Sequence, residues 1–111
     1  MSQIRQNYHQ DTENAVNQQI SLALHASYTY LSIAYHFDRD DVALANLHKF
    51  FMKLSDDKKE QANKCMKYQN TRGGRVVLQP VQKPTQDVWG STADAFQSAL
   101  DLEKMLNQVS G

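Results

Sequence analysis

"RVVLQPVQKPTQDVWG", residues 75–90, holds both prolines of the chain, Pro80 and Pro84, and so cannot be one continuous helix. It lies between segments that read as helices, which makes it a connection, and its length decides what it connects. About 16 extended residues reach roughly 50 Å, whereas a helix of about 28 residues is roughly 40 Å long. The connection can therefore run the full length of a helix pair and let the next helix start parallel to the second.

The two sides of the connection supply that pair and its sequel. Over residues 11–37, Val16, Ile20, Ala23, Leu24, Ser27, Tyr30, Leu31 and Ala34 fall on one helical face, with neither glycine nor proline among them. Asp11 is placed to cap that helix. "DRDD", residues 38–41, reads as a turn whose acids sit at the positive end of the next helix dipole. Over residues 42–72 a second stripe runs through Leu44, Leu47, Phe50, Phe51, Leu54, Ala62 and Cys65, and Gly73 with Gly74 ends it, because glycine accepts the left-handed C-cap. After the connection, "STAD" at 91–94 has capping-box-like spacing, and a helix over 91–109 carries Phe96, Ala99, Leu100 and Leu106 on one face. Trp89 is placed to anchor the crossover.

The expected fold is all-α: a four-helix bundle of the one-crossover kind, incomplete within residues 1–111. It has two long antiparallel helices, a long crossover over 75–90 and a partial third helix. The third helix stops at "NQVSG", so its stripe and those of the first two call for a partner, marginal stability or a truncated product.

Bulk properties exclude several function classes. Twelve basic and twelve acidic residues cancel, so no basic field points to nucleic acid or an anionic membrane. No run approaches a membrane span and the start has no secretory apolar core, so the chain reads as soluble and intracellular. The single cysteine, Cys65, on the core stripe, reads as a small buried apolar residue rather than a nucleophile. His9, His25, His36 and His48 form no metal-binding pair on one helical face and read as surface histidines, and Met52, Met66 and Met105 as gap-fillers or interface residues.

The motifs "QIRQNY" (3–8), "ASYTYLS" (26–32), "FDRDDVAL" (37–44), "QNTRGGRV" (69–76) and "LEKMLNQ" (102–108) occur in the order and spacing of an animal ferritin subunit, and the whole chain resembles its N-terminal part. "ASYTYLS" and "STADAFQSALDLEKMLNQ" are more similar to the light, storage-oriented type than to the heavy, iron-oxidising one. The resemblance implies cytoplasmic iron storage, in which homo- or hetero-oligomeric cages of ferritin subunits hold a ferric mineral, with no organic cofactor. The alternative is a truncated, non-catalytic fragment that docks on full subunits or has no iron role.

The resemblance also implies where a dinuclear oxidation site would lie. Heavy-type ligands are a glutamate on the first helix, an E-x-x-H pair on the second and a glutamate on the third; the matching positions here hold Ala23, Lys58 with Gln61, and Glu103. Only Glu103 remains a carboxylate, so no ferroxidase is expected. Tyr30 matches the tyrosine beside the site.

Helical angles add an independent expectation. Relative to Leu54, Lys58 lies at about 40°, Gln61 at about 340° and Cys65 at about 20°, in the middle of the apolar stripe. Glu103 is likewise central on the third helix. Facing stripes with opposite charges at their centres predict a Lys58 to Glu103 salt bridge, since either charge alone would be costly to bury. Asp56, Asp57 and Glu60, at about 200°, 300° and 240°, lie on the polar side. There they read either as a solvated face paired with Lys53, Lys64 and Lys67 or as a surface that gathers ferric ions; the resemblance to light-type subunits favours the second.

Overall fold

The computed structural model describes residues 9–37, 42–78 and 92–110, and of these only the backbone at 42–44, 92 and 107–110. It contains three helices: α1 (Gln10–His36), α2 (Val42–Thr71) and α3 (Thr92–Ser110). "DRDD", Ser91, Trp89 and the crossover beyond residue 78 fall outside the described residues.

Helix α1 starts one residue earlier than expected, and His9 rather than Asp11 caps it. The His9 ring accepts from the Asp11 amide, and the Asp11 carboxylate sits in the first turn, where the helix dipole favours it. Helix α2 ends as its glycines require. Gly73 takes φ 85°, its amide bonds to Asn70 O at 3.2 Å, and Gly74 N bonds to Gln69 O at 3.0 Å. This is a Schellman closure that satisfies the last carbonyls of the helix.

Helices α1 and α2 are antiparallel. The Glu13 carbonyl meets Gln69, Ser27 meets Ser55, and the Ala34 carbonyl meets His48, so one number rises as the other falls. Small residues let the pair approach closely at its middle. There Ser27 and Ser55 are both buried with their hydroxyls 3.0 Å apart, and Ser55 also donates to Ser27 O at 2.7 Å. A buried hydroxyl without a partner would be costly, so the pair works as a satisfied contact.

Helix α3 runs parallel to α2, since Phe96 meets Phe51 and, further along, Glu103 meets Lys58. This is the direction the long crossover predicts. It packs on α1, while the Cα atoms of α2 and α3 stay more than 8 Å apart among the described residues. The buried seam of α3 is Ala95, Ala99, Leu102 and Leu106. Phe96 and Leu100, expected in the core, are 40% and 50% exposed, and Phe50 of α2 is 48% exposed. The reason is which neighbours exist: α3 faces α1, so the residues turned about 100° away from that seam look into the open side between α2 and α3. On α1 the buried face is shifted in the same way, to include Ala26 and Ile33 along with Ile20, Ala23, Tyr30 and Ala34, while Leu24 and Leu31 are half-buried.

The start of the crossover is fastened to α1. Asn17 Nδ2 donates to Arg75 O at 3.1 Å and its Oδ1 accepts from Val77 N at 3.1 Å, so one side chain imitates a neighbouring strand. Buried Glu13 accepts from Arg75 N at 2.8 Å, and fully buried Gln69 donates to Glu13 O at 2.9 Å. Asn17→Ala is expected to cost about 1 kcal/mol, because both bonds are solvent-accessible and can be remade with water. Hydrogen exchange will show it as faster exchange of the Val77 amide with α2 unaffected.

Candidate functional site

The middle of the bundle brings together one residue from each helix. Tyr30 faces inward from α1 because it continues the face of Ala23 and Ala26, and it is fully buried. Lys58 projects from α2 one turn beyond Ser55, its side chain 15% exposed. Glu103 projects from α3 next to Leu102, its side chain 37% exposed. The Lys58 Nζ lies 3.1 Å from Glu103 Oε1 and 3.2 Å from Oε2, the contact that the helical angles predict. The Tyr30 hydroxyl donates to Glu103 Oε1 at 2.5 Å. Glu103 thus accepts from a phenol on one side and an ammonium on the other, and its charge is balanced by Lys58.

Burial first, then the hydrogen bond to Glu103 and its negative charge, hold the Tyr30 phenol far above the ordinary tyrosine range. Its raised folded-state pKa favours the neutral phenol, so the associated stability is present below an unfolded pKa of about 10 and is lost as pH rises above it. Denaturation midpoints are expected to fall more steeply between about pH 9 and pH 11 for the unaltered chain than for Tyr30→Phe; parallel curves would contradict the assignment.

Ala23 lies two turns before Tyr30 on the same face of α1 and is buried, so it brings a methyl group to the site. Gln61 lies one turn beyond Lys58 and is half-buried. Among the described residues no group of three His, Cys, Asp or Glu could hold a metal ion. A dinuclear iron site needs several carboxylates or imidazoles around a shared centre; this cluster brings one carboxylate, held by an ammonium.

The acidic surface is more neutralised than its acids alone suggest. Asp57 pairs with Lys53 at 3.4 Å and Glu60 with Lys64 at 3.9 Å, both one turn apart along α2, and Asp56 is exposed beside them. Exposed pairs of this kind contribute little to stability. They do lower the field that would attract a cation.

Cys65 is half-buried and its thiol is pushed up by desolvation, which disfavours the reactive thiolate. His48 meets Ala34 O through Nδ1 at 2.6 Å and stacks edge-on against Tyr35, so it ties α2 to α1. Among the described residues no helix is long and apolar enough to cross a membrane. Glu13 and Gln69 carry no local sequence signal, because these contacts join residues 56 and 62 positions apart.

The sequence model of the ferritin-like domain matches residues 13–109, nearly the whole chain. The chain belongs to the ferritin family. It is 56% identical over 108 residues to the soma ferritin of Lymnaea stagnalis, an alignment covering 97% of this chain and 62% of that protein. It is 58% identical over 109 residues to the ferritin middle subunit of Aquarana catesbeiana, covering 98% of this chain and 62% of that one. The chain thus spans about three fifths of the length of these ferritins. Within that span the three helices and the start of the crossover form the ferritin-like arrangement, and the Tyr30, Lys58 and Glu103 cluster lies at its centre.

Proposed function

We propose that this ferritin chain serves iron storage as a light-type subunit, contributing ferric binding and mineral nucleation inside a cytoplasmic cage and leaving iron oxidation to other subunits. The observation that carries the reading is the 3.1 Å contact between Lys58 and Glu103. An ammonium stands where a heavy-type subunit would place a carboxylate, and Ala23 and Gln61 fill two further ligand positions with groups that bind iron poorly. The cage is built with other ferritin subunits, alike or different. Ferric iron is then a cargo gathered at the solvent face of α2, where Asp56, Asp57 and Glu60 offer hard oxygen ligands despite their lysine neighbours.

The test is co-assembly of this chain with a complete ferritin subunit, followed by iron loading with and without Asp56→Ala, Asp57→Ala and Glu60→Ala together. The expected outcome is incorporation into cages and slower mineral growth in the triple variant. Cages that exclude the chain, or growth that does not change, would overturn the reading.

A further inference from the structure

We propose that Glu103 is the register key of α3, the residue that fixes how far α3 slides along the α1–α2 pair. The apolar seam that docks α3 is poorly suited to that task. Ala95, Ala99, Leu102 and Leu106 recur at intervals of four, three and four residues. A slide of seven residues therefore carries Ala95 and Ala99 onto the places of Leu102 and Leu106, apolar for apolar. Phe96 reaches the rings of Phe50 and Phe51, with centroids 5.9 Å and 5.3 Å apart, but it is 40% exposed. Apolar contact is non-directional, so such a ring discriminates weakly between offsets.

The polar junction discriminates strongly. Glu103 bonds to Tyr30 of α1 and to Lys58 of α2, while the α2 and α3 Cα atoms are more than 8 Å apart. Only one axial offset satisfies both partners. A slide of a single turn, about 5 Å, breaks both bonds and leaves a phenol that is fully buried and an ammonium that is mostly buried without their acceptor. Specifying register at little or no gain in stability is the best-attested role of buried polar groups in helical seams. Glu103 is here a positioning residue, and the inference is independent of the iron-storage reading.

Spin labels at Lys53→Cys on α2 and Asp101→Cys on α3, in the full chain carrying Cys65→Ser, read the offset directly, because both positions are exposed. The unaltered junction is expected to give one narrow distance distribution. Lys58→Met with Glu103→Leu is expected to stay folded but give a broadened or split distribution, its components displaced by about 5 Å or 10 Å. Glu103→Gln, which keeps the side-chain volume, should broaden the distribution less and serves if the double variant does not fold. A single narrow distribution at the original distance in the folded variants would overturn the proposal.

Discussion

Combining Ala23→Glu, Lys58→Glu and Gln61→His is expected to turn the centre of the bundle into a metal site. The unaltered cluster carries one positive and one negative charge, Lys58 and Glu103, 3.1 Å apart. The triple variant would instead surround the same space with three carboxylates and an imidazole, a set that suits iron. Loss of a group that merely orients a metal ligand costs about 10–100-fold in affinity; restoring three direct ligands should therefore raise affinity by well over about a hundredfold. Without metal the variant should be less stable than the unaltered chain, since like charges crowd a half-buried centre. Metal at a hundred times its dissociation constant should then return about 2.7 kcal/mol. Melting with Zn²⁺ and with a chelator checks this: a large metal-dependent shift is expected in the triple variant and none in the unaltered chain. Equal responses would mean that these positions do not form the site.

Phe51→Ala is expected to have the largest effect on stability, a loss of about 3–5 kcal/mol. Phe51 is fully buried and sits among Phe37, Phe50, Phe96 and Tyr30, with ring centroids between 5.3 Å and 6.3 Å away. It is the place where the α1–α2 pair and α3 share one apolar contact, so truncation opens a cavity touching all three helices. Net stability of a domain this size is about 5–15 kcal/mol, and the variant should be largely unfolded under mild denaturant. Phe50→Ala is the matched control. Phe50 is 48% exposed, so its loss should cost no more than the aromatic contacts it makes, about 0.5–1.5 kcal/mol. Urea midpoints of the two variants separate a ring that fills the core from one that lies on its rim.

The sequence makes the architecture legible where a single residue type is decisive. Two glycines close α2, and the length of the proline-containing crossover sets α3 parallel to α2. The Lys58 to Glu103 contact is legible because a charge on an apolar stripe calls for an opposite charge within reach, although Glu103 lies beside the seam of α3 and not at the centre expected for it. Helix faces are less legible. Periodicity favours bulky residues such as Leu100 and Phe96, whereas the seam against α1 is built from Ala95, Ala99, Leu102 and Leu106. Small residues allow close approach and carry little weight in a hydrophobic pattern. Helix capping by His9 escaped for another reason, because Asp11 is the better capping residue in general and only the real start of the helix decides between them. The Asn17 and Glu13 contacts to the crossover join residues about sixty positions apart, beyond the reach of any local rule.

We propose that an ammonium, Lys58, and a methyl group, Ala23, stand where iron ligands would lie at the centre of this bundle. Anaerobic titration of the unaltered chain with Fe²⁺, followed by calorimetry, tests it most directly. The prediction is the absence of stoichiometric binding at the bundle centre and a heat of binding that does not change in Glu103→Ala. Two equivalents of Fe²⁺ bound per chain at micromolar affinity, and lost in Glu103→Ala, would contradict it.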